Sequence, residues 1–351
     1  MADKRLEPVS DSAQEQLAIH PLASLLRGFA VDFITGHDVE VVERIMTPDY
    51  TLTIGGFTLS GRDGEYLPPT AAQINQFPGL CVTVHDVVYG ERALAMQFTE
   101  HGASSRDGGR GATWRGVTLF RTDGERLQRG WAEEDYYARK RQLASGSCDL
   151  VDAPHAMPWD IPVAPANPDT DTVAKQWLSD AVNYTGVENV FWCSQVDAQD
   201  PLPLDLVQVH STEIDEFFSA GNRAAFHVTH HGTYTGGFSD VDPAKMGTDV
   251  VFRAAGLLTV ADGRVVAARI THDRLGLNIT QGASNISFGL PNRELLNSAH
   301  MVLSIANGMT CPITNPTKIT ALIRATDLIL GKDDFAMRFI EYYQMMEDSK
   351  N

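Results

Sequence analysis

Cysteine is scarce in this sequence, which has four such residues among 351. They stand at Cys81, Cys148, Cys193 and Cys311, far apart and without any C-x-x-C pair. Disulfide-rich secreted domains and zinc sites need closely spaced cysteines, so neither is expected. Reduced thiols and a cytoplasmic location are the expectation.

Long apolar runs and basic clusters are missing as well. No stretch of about 18 apolar residues occurs, and the first residues contain no apolar core of a secretion signal. The net charge is −17 at pH 7, from 45 acidic and 28 basic side chains. Phosphate backbones and anionic membranes attract clustered Lys and Arg. We therefore expect no nucleic-acid partner and no membrane partner.

The apolar periodicity changes along the first half of the chain. Between Pro21 and Met46 apolar residues recur at helical spacing, which predicts one or two amphipathic helices. From Tyr50 the period becomes two, and strands with intervening turns are predicted as far as Asp135. Helices followed by an antiparallel sheet place the chain in the α+β class.

One stretch without periodicity suggests the domain organisation. Residues 146–171 are rich in Pro, Asp and Ala and predict a linker between two domains. After it the helix-then-strand order restarts, and the last part of the chain is predicted to be helical. The other predicted bounds are 1–18 for a mobile N-terminus, 19–145 for domain 1, 172–284 for domain 2 and 285–351 for a helical tail.

Two ordered sequence matches indicate that the halves repeat one unit. The segment Phe98 to Gly102, FTEHG, lies 130 residues before Val228 to Gly232, VTHHG. Farther along, GVTLFRTDG in the first half matches GLLTVADG in the second. Because both matches predict strand, hairpin and strand in the same order, we interpret them as an internal repeat.

The second half resembles a known family. The run HGTYTGGFSDVDPAKMGTDVVFRAAGLLTVADGRVVAARITHDRLGLNIT is similar to the SnoaL-like polyketide cyclase family of the nuclear-transport-factor-2-like (cystatin-like) superfamily. That family has a G-T-H-x-G-x-F hairpin, a D-G-K-I hairpin and a strand ending W-x-x-x-D. The first half carries the last of these from Trp131 to Asp135. The resemblance spans residues 20–145 and 172–282. In the second half Arg269 stands where the family has the Trp of the closing strand, and in the first half a Gly/Arg loop, SSRDGGRG, replaces the corresponding hairpin.

The resemblance implies two tandem cystatin-like α+β cone domains with a helical C-terminal tail. Each cone is a half-barrel wrapped round helices, with an apolar pocket at its wide end. It also implies proton-transfer chemistry on a small hydrophobic or aromatic substrate, without a metal or organic cofactor. Since such cones bury their open sheet face against another copy, we expect an intrachain pseudo-dimer, and a homo-oligomer of the chain is a further option.

Asp135 and Asp273 end the closing strands of the two halves and are the first catalytic candidates. A carboxylate inside an apolar cone has a raised pKa and can accept a proton near neutral pH. The alternative is that each Asp caps the helix that follows, because Asp is a favoured N-cap residue.

Histidines cluster in the second half. His227 and His231 share one face of a predicted strand, and the resemblance places the position before Gly232 near the cone interior. Imidazole suits proton transfer near pH 7. Four residues on a strand separate the two by roughly 13 Å, too far for one metal ion, so no metal site is expected. Hydrogen-bonding histidines in the core or at the surface are the alternative.

In the first half Gln97 and His101 are predicted on the corresponding strand face, with Trp131 two strands away. A Gln–His–Asp set over an apolar floor can polarise a carbonyl or phenol and move its proton. For each aromatic residue, core packing is the alternative. The predicted catalytic residues are Asp273, His231, Asp135 and His101, and the predicted substrate-binding residues are His227, Gln97, Trp131, Tyr50, Thr233, His272 and Arg269.

These residues favour a cofactor-independent lyase or isomerase that uses Asp/His acid–base catalysis on a bulky aromatic or polycyclic substrate. Dehydration, deformylation and aldol-type cyclisation all fit. A non-catalytic small-molecule binding or scaffold protein is one alternative, since this superfamily hosts many functions. An epoxide hydrolase is another, suggested by Arg269 beside Asp273, because that reaction needs an Asp–Arg–Asp relay around water.

Overall fold

The computed structural model describes residues 19–180, 189–192, 206–237, 243–274, 280–282, 293–306, 311–313, 316–330 and 336–348. The predicted mobile N-terminus lies outside these residues. The chain divides into two compact units. One comprises Met1–Leu202, Ser211–His230 and Arg253–Gly276, and the other Pro203–His210, His231–Phe252 and Leu277–Asn351. The predicted domain bounds remain predictions.

Helices and strands are mixed along the described chain, which confirms the α+β class. The helices are α1 (Pro21–Arg27, continued by a π-helical segment, Gly28–Thr35), α2 (Val41–Ile45), α3 (Leu67–Gln76, preceded by a π-helical turn, Arg62–Tyr66), α4 (Tyr136–Ser145), α5 (Pro168–Asp180), α6 (Arg293–Ala306), α7 (Pro316–Ile329) and α8 (Met337–Asp348). The strands are β1 (Met46–Ile54), β2 (Phe57–Ser60), β3 (Cys81–Tyr89), β4 (Ala93–Ser104), β5 (Arg110–Thr122), β6 (Leu127–Glu134), β7 (Asn189–Trp192), β8 (Val207–Ala220), β9 (Arg223–Tyr234), β10 (Asp249–Ala261), β11 (Arg264–His272), β12 (Thr280–Gly282) and β13 (Cys311–Ile313). Within these ranges no helix has both the length and the apolar character needed to cross a membrane.

The first six strands form one sheet, here called the first sheet, in the order β2-β1-β6-β5-β4-β3. Strand β1 runs parallel to β6, and the other neighbours are antiparallel. Helices α1 to α3 cover one of its faces, here called the helix-covered face, and residues such as Leu26, Phe33 and Val42 build the larger hydrophobic core there. The helix-then-strand order predicted for this half is confirmed.

The opposite face of the first sheet packs against the second sheet, which has the order β7-β11-β10-β9-β8. Ala95 and Val117 of the first sheet share a buried cluster with Ala225 and Leu257 of the second. As a result every residue of β4 from 93 to 100 is buried. Burial on both faces gives a strand a nearly continuous apolar sequence without clear alternation.

The predicted linker lies along β3. The N–H of His155 donates to the carbonyl of Val84 at 2.8 Å, and the N–H of Ala164 donates to that of Tyr89 at 3.0 Å. Helix α5 then begins at Pro168, within the predicted linker. The segment therefore straps the outer edge of the first sheet. Its backbone bonds to the side of β3 that does not face β4.

Both sheets contain the same contact of a Phe ring over a Gly. Phe98 pairs with Gly116 across β4 and β5, and its ring occupies the space that a side chain at Gly116 would need. In the second sheet the ring of Phe226 occupies the same space over Gly256. The contact relates Phe98 to Phe226, whereas the sequence match relates it to Val228, two residues farther on. The internal repeat and a second domain of the same family stay predictions.

A methyl group at Gly116 would overlap the ring of Phe98. We expect Gly116→Ala to lower the free energy of unfolding by about 1–3 kcal/mol, the usual cost of overpacking a core. Urea denaturation followed by circular dichroism measures the change. Gly79→Ala is the matched control, because no atom of another segment lies within 4 Å of the Cβ position there. Equal stabilities of the two variants would contradict the contact.

Candidate active site

A cavity of about 180 Å³ lies at the helix-covered face of the first sheet. Its wall is largely apolar, and Phe29, Met96 and Phe98 contribute much of it. The polar side chains in the wall are Tyr50, Tyr66, Thr70, Gln73, Glu100, Thr118, Glu134 and Tyr136. An apolar cavity of roughly 150 Å³ binds one benzene molecule. The volume therefore corresponds to one six-membered ring with small substituents.

Strand alternation brings two carboxylates into this cavity. On β4 the side chains of Phe98 and Glu100 share the helix-covered face, and on β6 that of Glu134 does. Gly116 on the intervening β5 pairs with both Phe98 and Glu134. Because Gly116 has no side chain, the ring of Phe98 lies over β5 between the two acidic residues.

Each carboxylate accepts a hydrogen bond from a side chain in or beside the wall. Trp114 Nε1 donates to Glu134 Oε2 at 2.9 Å, and Gln73 Nε2 donates to Glu100 Oε2 at 2.7 Å. Arg139 Nη1 donates to Gln73 Oε1 at 3.0 Å. This second bond orients the amide of Gln73, so that its NH₂ group faces Glu100.

The pKa values of the two carboxylates are raised to different extents. Burial raises the pKa of Glu100 well above its usual range and the charge of Glu134 raises it further, against the effects of Arg139 and of hydrogen bonds from Trp114 and Gln73. Burial also raises the pKa of Glu134, but Arg139 and hydrogen bonds from Tyr136 and Trp114 oppose that rise. Two interacting carboxylates in an apolar site do not readily ionise together. At neutral pH we assign the proton to Glu100 and the negative charge to Glu134.

The surroundings of these residues match a known family. The family profile of the SnoaL-like domain matches residues 27–130. This part of the chain is a SnoaL-like domain. It contains Glu100 and Gln73, and Glu134 and Tyr136 follow directly after the matched residues.

Solved structures are similar to about a third of the chain at low identity. IdmH from Streptomyces antibioticus, assigned as a polyketide cyclase, is 18% identical with a TM-score of 0.31, over 35% of this chain and 98% of that one. A protein of Jannaschia sp. CCS1, assigned as a SnoaL-like polyketide cyclase, is 19% identical with a TM-score of 0.33, over 36% of this chain and 92% of that one. Similarity at this level says nothing about the reaction.

A curated enzyme is similar to a shorter stretch. The methylcorrinoid:tetrahydrofolate methyltransferase of Eubacterium limosum is 40% identical over 70 residues, which are 19% of this chain and 26% of that enzyme. The chain thus spans about a quarter of the length of this relative.

Of the predicted site residues, Tyr50 lines the cavity and the others do not. In the SnoaL-like domain the predicted Gln97 and His101 lie on the face of β4 opposite to Glu100. His101 is half-buried, with Nε2 3.1 Å from Thr83 Oγ1. Because side chains alternate along a strand, a shift of one residue in the assignment of faces places Gln97 and His101, rather than Glu100, on the helix-covered face.

Asp135 and Trp131 are also directed away from the cavity. Asp135 Oδ1 accepts from the N–H of Ala138 at 3.2 Å, which is the helix-capping role considered as the alternative. Both oxygens of Asp135 also accept from the buried guanidinium of Arg274, at 3.2 and 2.7 Å. The ring of Trp131 lies 4.5 Å from the guanidinium of Arg129.

In the second half His231 is exposed, which corrects its predicted place in a pocket. On its strand face the exposed fraction rises from 1% at His227 to 9% at Thr229, and His231 lies beyond the covered region. Thr233 is half-buried and bonds to His210, with Oγ1 2.7 Å from Nε2. His227 is buried between the two sheets and does not line this cavity.

The remaining predicted residues lie at the end of β11. Asp273 is buried, and its N–H donates to the carbonyl of Arg253 at 3.3 Å. His272 is fully buried, and burial lowers its pKa well below the usual value. Arg269 Nη1 donates to Gln97 Oε1 at 3.3 Å, and Arg269 also lies 3.4 Å from Asp86. Roles for these residues in catalysis or binding stay predictions.

Sequence reasoning missed Glu100, Glu134 and Gln73. A usable signal was the spacing Met96-x-Phe98-x-Glu100, in which the largest apolar residues of β4 share a face with the acidic one. Small residues such as Ala95 fit the close approach of two sheets, whereas large residues fill the space beneath helices. Residue size therefore indicates the correct face where polarity does not.

The raised pKa of Glu100 makes stability depend on pH. A carboxyl whose pKa is higher in the folded than in the unfolded chain stabilises the fold below the unfolded value, about 4.3 for Glu. This contribution is lost as the pH rises through the folded value. We expect Glu100→Gln, which cannot ionise, to gain stability relative to the native protein as the pH rises above about 4.3.

Thermal melting at several pH values measures this difference. Glu125→Gln, at an exposed turn between β5 and β6, is the matched control and should follow the native curve. A constant offset between Glu100→Gln and the native protein at all pH values would show that Glu100 does not have this raised pKa.

Proposed function

We propose that the chain is a cofactor-independent lyase or isomerase in which Glu134 and Glu100 move protons on a small cyclic substrate. The observation that carries the proposal is the pair of buried, interacting carboxylates in an apolar cavity of about 180 Å³. Pairs of carboxyl groups whose environments push their pKa values apart suit separate roles as acid and base.

Glu134 is the base and Glu100 the acid. Glu134, ionised, takes a proton from a carbon next to a carbonyl group. Glu100, protonated, gives its proton to the substrate oxygen, or to a hydroxyl group that leaves as water. The hydrogen bonds from Trp114 and Tyr136 hold the charged form of Glu134 before the substrate arrives. General acid–base catalysis of this kind contributes about 10²–10⁴ in rate.

Tyr50 supports a substrate with one ring and an oxygen function. Its hydroxyl is buried and has no hydrogen-bond partner among the described residues. Burial raises the pKa of Tyr50, so it remains a donor at neutral pH. The hydroxyl lies against Gly130, on the same strand as Glu134. The cavity volume suits a single ring that carries an oxygen function, rather than the polycyclic substrate expected from the resemblance.

The second sheet lacks a comparable carboxylate pair. Two residues after Phe98 comes Glu100, but two residues after Phe226 comes Val228. Gly116 pairs with Glu134, whereas Gly256 pairs with Ile270. These apolar replacements favour a single proton-transfer site, in the first half of the chain.

Glu134→Gln tests the proposed base. We expect the exchange of α-hydrogens of cyclohexenones or related cyclic ketones in D₂O, followed by proton NMR, to fall by about 10²–10⁴ because the variant cannot accept a proton. Glu125→Gln should retain the native rate. Retention of exchange by Glu134→Gln, together with its loss in Asp273→Asn, would reverse the assignment in favour of the second half.

Tyr50→Phe tests the substrate class. Loss of one hydrogen bond to the ligand costs about 1–1.5 kcal/mol, so calorimetry should show roughly tenfold weaker binding of a cyclic ketone. Binding of the ring hydrocarbon without oxygen should stay unchanged. An equal loss for both ligands would mean that Tyr50 only shapes the cavity.

One observation favours a second candidate function, binding of tetrahydrofolate or a methylcorrinoid. It is the 40% identity over 70 residues to the methyltransferase whose name contains both compounds. Because the similarity covers 26% of that enzyme, methyl transfer as a whole is not proposed. Calorimetric titration of the chain with each compound separates this candidate from the first.

A further inference from the structure

Glu133 precedes Glu134 on β6 and points to the opposite face of the first sheet, where it is fully buried. His227 of the second sheet meets it there, with Nε2 2.9 Å from Glu133 Oε1. The other ring nitrogen, Nδ1, lies 2.8 Å from Asp215 Oδ2. An imidazole donates from both nitrogens only when it is protonated. A carboxylate on each side therefore makes His227 a buried cation.

The remaining contacts of this cluster agree with that charge. Burial lowers the pKa of His227, but the hydrogen bonds with Asp215 and Glu133 outweigh it and raise the value to about 9. Asp215 has further support, because Thr229 Oγ1 donates to its Oδ2 at 2.8 Å. Glu133 Oε2 has no hydrogen-bond partner among the described residues. His227 is thus the group that compensates the buried charge of Glu133.

We propose that His227 and Glu133 are positioning residues for Glu134, and that the second sheet thereby takes part in the chemistry of the first. His227 keeps a negative charge on Glu133 directly behind the catalytic carboxylate. This inference rests on the proposed function of Glu134. It gives the second sheet a role, although Val228 and Ile270 stand there at the positions that correspond to Glu100 and Glu134.

The distance between the two carboxylates sets the size of the effect. Successive side chains on a strand point to opposite faces, so the two charges lie about 8 Å apart across the sheet. At that separation, with an effective dielectric constant of about 20, repulsion shifts a pKa by up to about one and a half units. The charge of Glu133 indeed contributes to the raised pKa of Glu134. A base with a raised pKa accepts a proton more readily.

Other charged and titratable groups face this pair of sites, and the test must leave them intact. Around Glu134 they are Glu100 of β4, Tyr66 of the π-helical turn before α3, and Tyr136 and Arg139 of α4. Around His227 they are Asp215 of β8 and Glu133 of β6, with Arg253 of β10 beside Asp215.

Glu133→Gln removes the negative charge on the face of the sheet opposite to Glu134. We expect the acid limb of the kcat/KM profile to move to lower pH by about half a unit to one unit, because Glu134 then loses its proton more easily. His227→Gln should move it in the same direction, since a buried carboxylate without a cation takes up a proton. Arg223→Gln is the matched control. It breaks a 2.7 Å ion pair with Asp86 between the same two sheets and should leave the limb in place.

The outcomes distinguish a specific effect of Glu133 and His227 on Glu134 from a structural effect of any contact between the two sheets. An unmoved acid limb in Glu133→Gln, or equal shifts in His227→Gln and Arg223→Gln, would overturn the proposal. If His227→Gln does not fold, Glu133→Gln still decides, because His227 keeps Asp215 as a partner there. Carbon-13 NMR titration of the Glu134 carboxyl follows the same shift without substrate. If Glu134→Gln retained turnover, the proposed function would fail while this titration still tested the link to Glu133.

Discussion

The packing of the first sheet between two layers is the constraint on which the other features depend. Helices α1 to α3 cover one face, and the second sheet covers the other. Large side chains such as Phe98 fill the helix side, while Ala95 and Val117 allow the two sheets to approach closely. Every polar group on the central strands must therefore find a partner or carry a cost in free energy.

Two of the polar groups that this packing admits lie on opposite faces of one strand. Glu134 and Glu133 are neighbours in sequence, yet one lies in the cavity wall and the other at the contact between the sheets. Glu134 has Trp114 as a hydrogen-bond donor, and Glu133 has His227. One strand thus carries the proposed base on one side and the charge that tunes it on the other. A second layer behind the sheet is what makes this arrangement possible.

The sequence predicted the kinds of element, whereas its candidate site residues, Tyr50 apart, lie outside the wall of the described cavity. Strand β3, Cys81–Tyr89, lies in the part of the chain for which strands are predicted, because Val and Thr favour extended backbone and turn residues end the run. The faces of β4 were not predictable from polarity, since residues 93–100 are all buried. His231 was assigned to a pocket by its neighbour Gly232, but its exposure depends on where the packed region ends. Tyr50 was recognised because an aromatic residue at the start of a strand is visible without knowledge of packing.

By itself the sequence determined the α+β class and the helix-then-strand order of the first half, because these follow from local propensity and apolar period. Tertiary structure alone decided that Glu100 and Glu134, rather than Asp135 and Asp273, line the cavity of the first sheet. All four carboxylates are buried. The local sequence does not show whether a buried carboxylate pairs with a guanidinium group or lines a cavity. That distinction arises only when α4 and the second sheet bring Arg274 to Asp135 and leave Glu134 beneath the helices.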